Sequence, residues 1–323
     1  MPSVAILGAS GYAGQETLDR LLRHPDLEVV ALGSDSLAGK SASALDVRLN
    51  GSLPPFVSNE AAAASGAELL LLCLGHDRAA AFVPPSGSVV VDLSGAHRLS
   101  DTSLYGAWYG WEHPTSNDGW SYAVPELFPP ASGWIANPGC YATAAILALA
   151  PIAGAIDQTS VVVDAKSGMT GAGRELKASS HAGFVLENLS AYKVGSHQHA
   201  PEIAQAVGFP VCFVPHLLPI RRGLFATCYV SPTEDLRPLL EAAYGDSAVV
   251  RVLPEGVAPE LARVQHTDEA ELALFEDQAT GRAVIVCALD NLGKGAAGQA
   301  IQNANLALGL DETAGLRLSG VLV

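Results

Sequence analysis

The chain has 323 residues, 49% hydrophobic and 16% charged, which suits one or two domains with full-sized cores. Its formal net charge of −15 argues against nucleic acid or an anionic membrane as a partner. Five cysteines, an odd number without CxxC spacing, argue against a disulfide framework or a structural metal, so a reducing, cytoplasmic setting and no metal are expected. No basic segment precedes an apolar one at the N-terminus, and the longest apolar stretch, 142–156, is broken by Pro151 and too short to span a bilayer.

In chain order, Val4 to Leu7 reads as a strand, and Tyr12 to Leu22 as a helix with Leu18, Leu21 and Leu22 on one face. Leu27 to Leu32, Leu69 to Leu74 and Val89 to Leu93 follow as strands. Their near-continuous Leu and Val is what parallel strands covered on both faces require, and the alternation predicts a doubly wound, Rossmann-type α/β domain. Between the first strand and helix lies Gly8-Ala9-Ser10-Gly11-Tyr12-Ala13-Gly14, a variant of the dinucleotide fingerprint with Ala9 where its first glycine would be. Glycines there let backbone N–H groups approach a pyrophosphate at the helix N-terminus. After the second strand, Ser34-Asp35-Ser36 is expected to face the adenosine ribose. Asp35 there points to NAD, while Ser34, Ser36 and Lys40 suit a 2′-phosphate, so NADP and NAD both stay open. His97-Arg98 falls where a strand ends, and Arg98 is the candidate grip for a substrate phosphate.

Asn137-Pro138-Gly139-Cys140-Tyr141 precedes the apolar run from Ala144 to Leu149, which puts one thiol at the mouth of a predicted helix. The partial positive charge and unpaired N–H groups of a helix N-terminus stabilise a thiolate, so Cys140 is the candidate nucleophile. Cys73, Cys212, Cys228 and Cys287 lie inside apolar runs and are expected to be buried and inert.

Beyond Cys140 the pattern shifts to strands at Ser160–Asp164, Val211–Val214, Leu224–Val230, Val249–Leu253 and Ala283–Leu289, with fewer helices, and predicts an α+β domain on a mixed sheet. Ala296 to Leu308 is the last clear helix. Between Lys166 and Arg222 six basic residues (Lys166, Arg174, Lys177, Lys193, Arg221, Arg222) face three acids (Glu175, Glu187, Glu202), with His181, His197, His199 and His216 in the same window. A basic, histidine-rich middle in an acidic chain suggests a pocket for a small anion. The loop Ser167 to Arg174 offers backbone amides and Arg174 to such an anion or to a nicotinamide carboxamide. His197-Gln198-His199-Ala200-Pro201-Glu202 supplies two imidazoles for proton transfer and a carboxylate to orient one of them.

Taken together, these blocks resemble the N-acetyl-γ-glutamyl-phosphate reductase family of the aspartate-semialdehyde-dehydrogenase-like superfamily over nearly the whole chain. The resemblance runs through Gly8 to Tyr12, Ala38-Gly39-Lys40, Asp92-Leu93-Ser94, Arg98-Leu99, Val124 to Leu127, Asn137 to Tyr141, Asp164 to Gly168, Gly171 to Arg174, Ala191 to Gly195, His197 to Ile203, Pro215-His216-Leu217 and Asp290 to Asn305. It implies a dinucleotide-binding domain over 1–139 with 296–323, and a catalytic and oligomerisation domain over 140–295. It implies Cys140 as nucleophile and His197 as its proton partner, with His199, Glu202 and Tyr192 lining the site. Ser10, Gly11, Tyr12, Ala13, Ser34, Asp35 and Ser36 would bind NADP(H), and Asn291 would meet the nicotinamide end. The implied substrate is a small anionic acyl phosphate, reduced by NADPH to a semialdehyde through a cysteine thioester in arginine biosynthesis, by a homodimer or homotetramer.

Three positions depart from the family pattern: Asp35 where Arg is frequent, Gln198 for Arg, and Ala200 for Thr. A related branch reduces glutamyl or α-aminoadipyl phosphates held on an acidic carrier protein. The chain's own negative charge disfavours that partner. A non-redox thiol acyltransferase would have no use for the glycine turn, and a nucleotide sensor none for Cys140 and His197.

Overall fold

The structure, a computed structural model, describes residues 1–49, 53–174 and 181–320. The chain divides into two compact units. One gathers the described residues within Met1–Thr102, His113–Pro138 and Ala296–Leu316, the other those within Ser103–Glu112, Gly139–Gly295 and Arg317–Val323. Glu175 and Lys177 of the basic window lie outside the described residues.

The first unit is a seven-stranded, all-parallel sheet. Its strands are β1 (Ser3–Leu7), β2 (Glu28–Gly33), β3 (Phe56–Val57), β4 (Leu69–Leu72), β5 (Val89–Asp92), β6 (Trp120–Tyr122) and β7 (Trp134–Ala136), in the order β3-β2-β1-β4-β5-β7-β6. All four β4 leucines are buried, as a central strand covered on both faces requires. The first three helices are α1 (Tyr12–Leu21), α2 (Asn59–Ala63) and α3 (His76–Ala80). Leu18 and Leu21 of α1 enter the core, whereas Leu22, expected on the same face, is the exposed C-cap. Because β2 and β4 flank β1 on opposite sides, the strand order reverses beside β1, and such sheets bind ligands at the C-terminal ends of the strands there.

A short helix, α4 (Tyr105–Tyr109), belongs to the second unit, as do α5 (Cys140–Leu149) and a second seven-stranded sheet. Its elements are β8 (Ile156–Ser167), α6 (Ala182–Val185), β9 (Ser190–Ala191), α7 (His199–Val207), β10 (Cys212–Leu217), β11 (Leu224–Pro232), α8 (Arg237–Tyr244), β12 (Val250–Val252), α9 (Leu261–Val264), β13 (Ala270–Asp277) and β14 (Arg282–Leu289). The order β12-β13-β14-β11-β8-β10-β9 is mixed: β8–β10 and β12–β13 pair parallel, the others antiparallel. The expected fold class, a doubly wound domain beside a mixed-sheet α+β domain, is the observed one.

Three readings need correction. Cys73, expected to be buried, is half-buried. Strand β13 escaped the sequence analysis because acids interrupt its apolar run. One of them, Glu271, is buried and takes a bidentate ion pair from Arg263. Cys212 is exposed rather than buried, since it is the first residue of β10 and faces outward, opposite the buried Phe213. After β14 the chain makes a π-helical turn over Gly293–Ala297 and ends its regular structure in α10 (Gly298–Leu308). This last helix packs on β5 and α1 of the first unit and sends Ala300, Ile301 and Ala304 into its core.

Candidate active site

In the first unit the glycine turn is tight because the strand ends crowd it. Gly8 has φ +80°, and a Cβ on it would lie 2.2 Å from the Cys73 carbonyl oxygen at the end of β4. A Cβ on Gly14 would lie 2.4 Å from the Gly8 oxygen, so both positions exclude a side chain and keep the turn against the start of α1. Gly11 is the N-cap of α1 and no side chain caps that helix. The first-turn amides and the helix dipole therefore suit a pyrophosphate, and this cradle fits a dinucleotide.

At the end of β2, the Ser10 and Ser34 hydroxyls stand 2.8 Å apart and those of Ser34 and Ser36 3.3 Å apart. Asp35 accepts from the Asn59 N–H at 2.9 Å, from Asn59 Nδ2 at 3.0 Å and from Arg78 Nη1 at 2.6 Å. These bonds, the Asn59 N–H first and Arg78 next, hold its carboxyl below the ordinary range. Asn59 in turn accepts the Gly8 N–H at 2.8 Å, which ties the Asp35 contacts to the glycine turn.

The approach to Cys140 is pinned residue by residue. The Asn137 side chain donates to the Ala296 carbonyl at 3.2 Å and accepts from Asn303 Nδ2 at 3.1 Å. Its carbonyl receives Arg98 Nε at 2.9 Å, while Arg98 Nη2 donates to the Leu93 carbonyl at 3.0 Å. Arg98, expected as a phosphate grip, is thus buried and committed in part to two backbone carbonyls.

In the second unit Gly139 is the N-cap of α5, again without a side-chain cap, and Cys140 is the first helical residue. Every later residue of α5 is buried; the thiol end alone is half-buried. The Gly139 N–H donates to Glu202 Oε1 at 2.7 Å, from a fully buried carboxylate on α7. On the other side, a Cβ on Gly295 would lie 2.8 Å from Cys140 Cβ, so the Asp290–Gly295 turn lies directly against the cysteine.

Around this helix end the histidines and tyrosines gather. His197 and His199 rings lie 4.7 Å apart by centroid, and His197 meets Tyr141 at 5.7 Å and Tyr192 at 5.6 Å. The His199 N–H donates to His197 Nδ1 at 3.1 Å, so the neutral ring carries its proton on Nε2. The resting ring is neutral: burial, then the charges of His199 and Lys193, lower its pKa to about 2. Tyr192 donates to the Tyr141 hydroxyl, which donates to the His216 carbonyl. Burial holds both phenols protonated, Tyr192 up to about 12. Glu202 Oε2 stands 3.9 Å from His199 Nε2.

The wider histidine window is not one pocket. His216 lies on β10 beside Asp164, which also pairs Lys166, and His181 caps α6. Arg174 is exposed in the loop after β8, next to the residues outside the description. Asn291 is buried, accepts the Gly223 N–H at 2.8 Å and donates to Thr170 Oγ1 at 3.0 Å, so it braces that glycine-rich loop. Arg222, counted in the basic window that suggested an anion pocket, is instead in a buried bidentate pair with Asp290 at 2.8 and 3.0 Å. Sequence reasoning missed this pairing at the turn against Cys140. It also missed Gly295. Glycine in the Asp290–Gly295 block was the only available signal.

The model of the semialdehyde dehydrogenase NAD-binding domain matches residues 3–133, and that of the semialdehyde dehydrogenase dimerisation domain matches residues 140–291. Solved structures share the fold. Aspartate semialdehyde dehydrogenase II from Vibrio cholerae, complexed with ASA, superposes with TM-score 0.75 at 19% identity over 96% of this chain and 98% of that one. Aspartate semialdehyde dehydrogenase with NADP from Candida albicans gives 0.63 at 17% over 96% and 99%. Fold and paired domains thus define an enzyme of the semialdehyde dehydrogenase class, with a nucleotide domain of the nicotinamide-binding kind. N-acetyl-gamma-glutamyl-phosphate reductase of Salinispora tropica is 44% identical over 98% of both chains, that of Acidothermus cellulolyticus 43% over 98% of both, and that of Rhodospirillum rubrum 40% over 97% of both. This chain belongs to the N-acetyl-γ-glutamyl-phosphate reductase family. None of its described helices is long and apolar enough to cross a membrane.

Proposed function

We propose that the protein reduces N-acetyl-γ-glutamyl phosphate to N-acetylglutamate semialdehyde and phosphate with NADPH, in arginine biosynthesis in the cytoplasm. The observation that carries the reading is Cys140 at the uncapped start of α5, with Glu202 on the preceding amide and the His197–His199 pair in the same unit. The names of the relatives above support the free acetylated substrate over a carrier-linked one.

In this reading residues 1–139 with 296–323 hold the dinucleotide, and 140–295 carry the chemistry and the contacts of a homodimer or homotetramer. Ser10, Gly11, Tyr12 and Ala13 hold the pyrophosphate, Ser34, Asp35 and Ser36 the adenosine ribose end, and Asn291 the nicotinamide end. When bound, the dinucleotide supplies the hydride. Cys140 thiolate attacks the acyl carbon; the carbon–oxygen bond to phosphate breaks, phosphate leaves, and a thioester remains. Backbone N–H groups at the α5 terminus and the Nε2–H of His197 stabilise charge on the carbonyl oxygen. After reduction, the tetrahedral oxyanion on Cys140 collapses: its carbonyl re-forms as the carbon–sulfur bond breaks, and the semialdehyde departs as the thiolate re-forms. His199 and Glu202 orient the pair, Tyr192 and Arg174 face the substrate, and Arg98 holds the backbone that leads to Cys140.

The test is phosphate-dependent reduction of NADP+ by N-acetylglutamate semialdehyde, run beside carrier-linked semialdehydes. Turnover with the free acetylated compound and dependence on phosphate are expected. Absence of both would end the reading.

A further inference from the structure

An acid at the end of the second strand of a doubly wound sheet ordinarily accepts the ribose 2′-hydroxyl and so favours NAD, whereas an arginine nearby accommodates a 2′-phosphate. Asp35 stands at that position, yet both its oxygens are already engaged, Oδ1 by the Asn59 N–H and Oδ2 by Asn59 Nδ2 and Arg78 Nη1. With three donors on about four acceptor sites, the carboxylate has little capacity left for a ribose hydroxyl. Arg78 reaches it from α3, 43 positions along the chain. Its side chain is 60% exposed, and beyond Asp35 its guanidinium has no partner among the described residues. Ser34 and Ser36, the two neighbours of Asp35, add hydroxyls linked to Ser10.

We infer that Arg78, held by Asp35, is the residue that selects NADP over NAD, receiving the 2′-phosphate together with the Ser34 and Ser36 hydroxyls. The acid is then a positioning residue for the arginine. The planar guanidinium has donors enough to bridge a carboxylate on one edge and a phosphate on the other. A positive charge is thereby supplied from α3 where Asp35 itself cannot supply one. The inference deepens the function proposed above and rests on it.

Calorimetric titration of the full-length protein with NADPH, NADH and adenosine 2′,5′-bisphosphate separates the possibilities. The bisphosphate carries the 2′-phosphate without a nicotinamide. Arg78→Ala should weaken NADPH and the bisphosphate by about tenfold or more and leave NADH within about twofold, with Arg78→Lys in between. Asp35→Asn, which keeps an acceptor for Asn59, should retain the NADPH preference. The assignment is overturned if Arg78→Ala leaves NADPH and the bisphosphate unchanged, if it weakens NADH by the same factor, or if Asp35→Asn selectively costs NADH. Failure of the wild-type protein to bind either dinucleotide would instead overturn the function itself.

Discussion

Two helices of this protein begin in the same way and are put to different uses. Both α1 and α5 follow a glycine N-cap with extended backbone and no side-chain cap. In α1 the amphipathic body buries Leu18 and Leu21, and the uncapped N-terminus follows a turn that only glycines fit. In α5 the body is buried all round, the residue at the first position is a thiol, and the amide just before it is claimed by Glu202. Both termini carry the positive end of a helix dipole, and at α5 the chain's own sulfur stands there. What distinguishes them is which atoms are already in place at the terminus.

Replacing the sulfur should break the comparison most severely. Cys140→Ser should lower turnover on the order of a thousandfold while NADPH still binds by calorimetry; retention of a tenth of the activity would remove the covalent step. At the other helix, Gly14→Ala forces a Cβ into backbone atoms of the turn, 2.4 Å from the Gly8 oxygen. It should weaken NADPH binding about tenfold or more and leave thiol alkylation of Cys140 intact. Glu202→Ala strips the buried Gly139 N–H of its acceptor and should cost about 1–3 kcal/mol in urea unfolding. Glu202→Gln keeps an acceptor and should recover most of that stability, an outcome that a general acid–base role for the carboxylate in turnover would not share.

Two smaller effects sharpen the contrast. His197 is held neutral, with a pKa near 2 against an ordinary 6.5, so below pH 6.5 the unfolded chain binds a proton that the folded ring refuses. Stability should therefore fall as pH drops below 6.5, by at most about 1.4 kcal/mol per unit from this group, and His197→Asn should flatten that slope. Among the thiols, Cys73 and Cys228 are pushed up to about 12 by burial, and Cys287 is raised in the same way. Iodoacetamide near neutral pH should label Cys140 and the exposed Cys212, and in Cys212→Ser the labelling should become single-site.

The parts of this molecule that were legible in the sequence are those written locally. The glycine turn, the leucine-rich central strands and the Pro138-Gly139-Cys140 entry to α5 each declare themselves within a few residues. Contacts between distant residues were not legible. Glu202 meets Gly139 across 63 positions, and Arg78 meets Asp35 across 43, so neither pair leaves a trace in spacing. Asp35 shows the cost: by itself an acid at the end of β2 points to NAD, and its bonds to Asn59 and Arg78 cannot be read from the sequence. Cys212 shows another limit, because an apolar run indicates a strand without saying which of its residues faces the core. The buried Glu271 hid β13 for a related reason, since its charge is balanced by Arg263 from outside the strand.

The route of the chain has a practical consequence for dissection. The nucleotide-binding sheet is not closed until α10 arrives, almost three hundred residues after β1 begins, and lays Ile301 and Ala304 over a core that already holds Leu18 and Val91. A fragment ending near Pro138 would carry every strand of that sheet yet lack its cover, so no single cut yields a well-behaved nucleotide module. An excised version needs α10 spliced back by a linker.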